Sequence, residues 1–96
     1  MSITLQISRK ANEEYLELLE WYGEIDIILV QKFADDFFTT LNRLNKQPTH
    51  YSFIAPNLRR IPFLKFQTMI IYQFKDNIIN VLSVKDMRSK PNRNFY

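Results

Sequence analysis

An α+β fold is predicted for these 96 residues: an N-terminal strand, an antiparallel helical hairpin, and a three-stranded antiparallel meander in one sheet (β-α-α-β-β-β). Three observations predict it. Ile3, Leu5 and Ile7 alternate with polar residues at the strand period of two. Two stretches, 8–23 and 26–48, repeat apolar residues at three- and four-residue steps, the helical period. From Leu58 to Val84 the chain then runs as apolar, β-branched segments broken at Pro62 and at Asp76-Asn77.

Ser8 follows the first strand and is suited to cap a helix, with Glu13 and Glu14 near the positive end of its dipole. Ala11, Tyr15, Leu18 and Tyr22 form one stripe down that helix. Gly23, the one glycine in the chain, stands where a left-handed residue would stop it. Asp26 is placed to cap a second helix carrying Val30, Phe33, Ala34, Phe37, Leu41 and Leu44 on one face, with Pro48 beyond its end. Ile27 and Phe38 add a second apolar row. A short connection between two such helices makes an antiparallel hairpin whose task is to cover one face of a sheet.

Residues 49–56 read as irregular. Leu58–Phe63 is the first strand of the meander, with Pro62 confining it to an edge or an irregular end. Thr68–Phe74 and Ile78–Val84 make a tight hairpin, because Asp76-Asn77 tolerates positive φ. The last of these strands is apolar on both sides for much of its length. One cover is the helical hairpin, and a second must come from the tail or from a partner.

A chain of this size folds as one domain, residues 1–96, burying roughly 65% of its unfolded surface. Without cysteine it has neither disulfides nor thiolate metal sites. His50 is the one histidine, so no metal centre or cofactor is expected, and a packing or surface role outweighs catalysis. No apolar run approaches the ~20 residues of a membrane span. The N-terminus lacks the basic-then-apolar layout of an export signal, so a cytoplasmic location is expected.

Charge is divided unevenly. Residues 1–56 carry five basic and eight acidic side chains, whereas residues 57–96 carry eight basic and two acidic ones. The basic set is Arg59, Arg60, Lys65, Lys75, Lys85, Arg88, Lys90 and Arg93. Such asymmetry suits a face for an anionic partner; an ordinary solvated face has the same composition. The tail from Lys85 to Tyr96 combines four basic residues with two terminal aromatics. That suits an RNA backbone, by charge and stacking, as well as it suits a solvated terminus.

The element order, together with Leu58-Arg59-Arg60, Pro62, Phe66, Ile70 and Tyr72, resembles the RelE/ParE superfamily of bacterial type II toxins. Val84, Arg88 and Pro91 are similar to that family's strand-end motif, and Ala11 with Trp21-Tyr22 also fits. The resemblance implies a growth-inhibiting, plasmid-stabilising toxin neutralised by a cognate antitoxin, acidic and partly disordered until bound. Its target would be DNA gyrase in ParE-like members, or messenger RNA on the ribosome in RelE-like ones.

Two departures bear on that choice. The position of a RelE-like catalytic arginine holds Met69, and the strand-end position of a basic residue holds Asp86. A carboxylate there would repel a phosphate. The resemblance therefore favours a ParE-like toxin that does no chemistry, with Arg59, Arg60, Lys65, Lys85, Arg88, Lys90 and Arg93 as binding residues. In a ribosome-dependent endonuclease, Lys65, Arg88 and Tyr96 would carry the chemistry. A degenerate, non-toxic antitoxin-binding relative is the third reading.

Overall fold

Ser8 is the hinge on which the N-terminal half turns. The computed structural model describes residues 2–88. In it β1 (Thr4–Ile7) ends one residue before helix α1 (Arg9–Ile25). The Ser8 hydroxyl accepts the Ala11 N–H at 3.0 Å, capping the helix as expected. The same hydroxyl donates to the Leu82 carbonyl at 3.2 Å, so the cap also fastens the helix start to the sheet.

Helix α1 does not stop at Gly23. It continues to Ile25, and Gly23 has no positive φ. The glycine serves packing instead: a Cβ there would lie 3.1 Å from Val30 Cγ2, on the facing helix α2 (Ile28–Lys46). The turn between the helices is held by Asp26, whose Oδ1 accepts the Ile28 N–H at 3.1 Å. The antiparallel hairpin forms as predicted. Its second apolar row does not reach the core, since Ile27 is 75% and Phe38 57% exposed.

The core is aromatic. Phe33 is fully buried, with the rings of Tyr22, Phe63 and Phe66 centred 5.0, 5.2 and 5.1 Å away. Tyr15 stacks on Phe37 at 4.0 Å. Contacts of this kind add about 0.5–1.5 kcal/mol each beyond the area they bury. Against these rings lie Ile61, Ile70, Tyr72, Ile79, Val81 and Val84 of the sheet, all buried.

The sheet has five strands, ordered β1-β5-β4-β3-β2. The expected meander is β3 (Leu58–Pro62), β4 (Thr68–Lys75) and β5 (Ile78–Asp86), each antiparallel to the next. Asp76 and Asn77, at φ 54° and 63°, make the tight turn between β4 and β5. The segment expected to be irregular contains one further strand, β2 (Phe53–Ala55), which pairs with β3 at the far edge through a register shift. Asn57, at φ 64°, turns the chain between them. Pro62 ends β3, where the missing N–H does least harm.

β1 returns to the opposite edge and runs parallel to β5, from Thr4 opposite Ile78 to Ile7 opposite Val81. Beyond Val81, no strand among the described residues lies beside β5 on that side. α1 takes over there: the Glu14 carboxylate accepts the Val84 N–H at 3.0 Å and the Ser83 hydroxyl at 2.7 Å. Both helices pack against the same side of the sheet.

Candidate functional site

Register assigns each strand residue to a side. Residues directly opposite one another on paired strands share a face. Ile61 pairs with Ile70, and Ile70 with Val84, on the side covered by the helices. Arg60 pairs with Ile71, Pro62 with Met69, and Gln73 with Asn80 on the other side. Lys75 opposite Ile78 belongs to that second side. Among the described residues no helix lies over it. It therefore combines half-buried aliphatic side chains with the exposed cations Arg60 and Lys75. Its strands β3–β5 contain one carboxylate, Asp86, which pairs with buried Thr68 and so belongs to the other side.

The basic residues singled out in the sequence are not gathered into one patch. Arg59 sits opposite Tyr72, on the helix side. Its guanidinium donates to the Thr49 carbonyl at 3.0 Å and to that of Tyr51 at 2.7 Å, and lies 3.9 Å from the Phe53 ring centre. It thereby ties the irregular segment before β2 to β3. Lys85 pairs with Glu14 at 2.7 Å across the sheet edge. Lys65 lies in the β3–β4 loop with its side chain exposed. Lys90, Arg93 and Tyr96 lie outside the described residues.

Arg88 is the most heavily engaged. Its Nη2 donates to Asp86 Oδ2 at 2.6 Å, and its Nε reaches the same carboxylate at 3.0 and 3.1 Å. The guanidinium carbon lies 4.9 Å from the Trp21 ring centre, a cation–π distance. The Tyr22 hydroxyl is 3.5 Å from Nη2. Hydrogen bonding to Asp86 raises the Arg88 pKa further above its usual value, against the opposing effect of burial. Burial likewise raises Tyr22, and the nearby guanidinium only partly offsets it. Neither group is set up to give or take a proton near neutrality.

The sequence reading missed Asp36. Its carboxylate is buried and accepts three consecutive backbone N–H groups: Leu64 at 3.1 Å, Lys65 at 2.7 Å and Phe66 at 3.0 Å. One side chain thus holds the β3–β4 loop against α2. A signal was present. Phe33, Asp36, Phe37, Thr40 and Leu44 make a single buried helical face, and a carboxylate within such a stripe needs a partner. The sequence places Glu14 near a helix start; in the fold, burial, which alone would raise its pKa, is outweighed by Lys85, Ser83 and Val84, and the pKa is lowered. Among the described residues no cluster of three acidic or imidazole side chains could hold a metal ion.

No family model and no curated protein matches this chain. Among solved structures, the chain is similar to one described as the chromosomal ParDE TA system from P. aeruginosa, with a TM-score of 0.79 and 14% identity. The likeness covers 90% of this chain and 97% of that one. The shared feature is the fold: a strand, a helical hairpin and a meander that wraps back beside the first strand.

Proposed function

We propose that this chain is the toxin of a bacterial type II toxin–antitoxin module. In this reading an acidic antitoxin neutralises it by covering the open side of the sheet. The chain acts in the cytoplasm by inhibiting DNA gyrase through protein contact, and does not cut messenger RNA. The toxin reading draws on the fold shared with the ParDE structure and on the cationic, aliphatic side of the sheet. A partner segment that folds on binding would set apolar side chains against Met69, Ile71 and Ile78 and carboxylates against Arg60 and Lys75.

The preference for contact over cleavage rests on one observation, the 2.6 Å ion pair between Arg88 and Asp86. Cleavage of a phosphodiester needs a free cation to stabilise the charge that develops on the phosphorus oxygens. Arg88 is neutralised in place. A phosphate brought to it would meet the Asp86 carboxylate, a repulsion of roughly 4 kcal/mol at ~4 Å in an effective dielectric of about 20. Met69, opposite Lys85, supplies no donor to compensate.

The test uses the purified chain in two assays. Added to gyrase with relaxed plasmid, it is expected to slow supercoiling. Added to translating ribosomes, it should leave message full-length by primer extension. Codon-specific cuts with normal supercoiling would replace the gyrase reading with an endonuclease; inactivity in both assays, with no growth defect on induction, would remove the toxin reading itself.

A further inference from the structure

A second surface lies apart from the open sheet, where α2 meets the β3–β4 loop. The two enclose a cleft of about 610 Å³. Leu29, Leu64 and Phe66 supply its apolar lining, Lys32, Lys65 and Asp35 the charges open to a ligand, and Asp36, whose carboxylate is taken up by the loop N–H groups, lines it beside Thr39. That volume falls within the range of pockets that hold a ligand, and would take one bulky side chain with its flanking backbone.

The lysines are the informative part. Lys32 precedes Asp35 and Asp36 by three and four positions on α2, a spacing that ordinarily produces a helix ion pair. Neither pair forms. The Asp36 carboxylate is turned to the three N–H groups of the loop. Asp35 Oδ1 instead accepts Gln31 Nε2 at 2.8 Å. Among the described residues the ion pairs are Lys85–Glu14 and Arg88–Asp86, so Lys32 and Lys65 both face solvent unpaired, one from each wall. Between them Leu64 is 60% exposed, although Asp36 holds the backbone beside it.

We infer that this cleft binds an acidic peptide segment, one bulky apolar residue flanked on both sides by carboxylates. The apolar residue would fill the space over Leu29, Leu64 and Phe66, and the carboxylates would reach Lys32 on one wall and Lys65 on the other. Because Asp36 already fixes the loop, little ordering is needed at binding. A nucleic acid fits less well, since its evenly spaced phosphates would also meet Asp35. This inference is independent of the chain's target and of what covers the sheet.

The experiment follows amide resonances of the full chain during titration with three probes. One is a short peptide with a central leucine flanked by two glutamates on each side; the others are its glutamine counterpart and a single-stranded RNA. The glutamate peptide is expected to shift the amides of Leu29 and of residues 64–66. Lys32→Glu or Lys65→Glu should weaken its binding about tenfold, and Asp35→Asn should tighten it severalfold. Both lysines are exposed, so unchanged circular dichroism should accompany each variant. Four outcomes would overturn the inference: equal binding of the glutamine peptide, shifts confined to Arg60, Met69 and Ile71, RNA displacing the peptide from the same amides, or no binding at millimolar peptide.

Discussion

The Glu14 carboxylate accepts the Val84 N–H at 3.0 Å, across 70 positions of chain, at the point where β1 has stopped accompanying β5. A helix side chain thus completes a sheet edge. Glu14→Ala leaves that N–H without its acceptor and should destabilise the fold by about 1–3 kcal/mol in urea unfolding at neutral pH. The exposed Lys85 ammonium adds little beyond this, because solvent screens it.

The same contact predicts a pH dependence. The folded Glu14 pKa lies below its usual 4.5, so near and below that pH the unfolded chain binds the proton more readily. The stabilisation is complete above that value and is lost as pH falls through the lower, folded one. Urea midpoints of the native chain should therefore fall more steeply on acidification than those of Glu14→Gln. Parallel curves would remove Glu14 as a source of acid sensitivity.

Asp36→Asn keeps the shape of the side chain while removing its charge and one of its acceptor oxygens. With three N–H groups depending on that carboxylate, a loss of about 2–4 kcal/mol is expected. Hydrogen exchange gives the local signature. The amides of residues 64–66 should lose protection well before those of β4.

Gly23 and Val30 should behave as a coupled pair. Alanine at position 23 gains about 1 kcal/mol of helix propensity but places its Cβ 3.1 Å from Val30 Cγ2. Gly23→Ala should therefore stabilise more in a Val30→Ala background than alone. A double-mutant cycle measures this directly, and strict additivity would show that the two helices are not in contact there.

Tyr72 predicts the alkaline limit. It is fully buried, its hydroxyl donates to the Pro48 carbonyl at 2.6 Å, and burial pushes its pKa up to about 12 although Arg59 opposes the shift. Between the usual phenol value of 10 and that figure, the folded state keeps a proton that the unfolded state releases, so stability falls as pH rises. Tyr72→Phe should lose about 1 kcal/mol at neutral pH and flatten the alkaline slope. Phenolate absorbance should show one tyrosine fewer resisting ionisation.

The helical stripes, the Ser8 cap, the Asp76-Asn77 turn and the meander could all be read from residues a few positions apart. Each is a local pattern: periodicity sets which face is buried, and φ preferences set where the chain turns. Other features depend on residues far apart in the chain. Gly23 looked like a helix stop and proved to be a contact with Val30; Phe53–Ala55 became a strand because β3 offered it an edge. The basic residues show the difference most clearly. Composition established that the C-terminal part is cationic, but whether a given charge faces a partner depends on whether a carboxylate, a carbonyl or an aromatic ring lies within about 4 Å of it. Folding supplied such neighbours to Arg59, Lys85 and Arg88 and left Arg60, Lys32 and Lys65 facing solvent. Only packing could decide that, because each of those neighbours comes from another part of the chain or from the way a strand end curls back on itself.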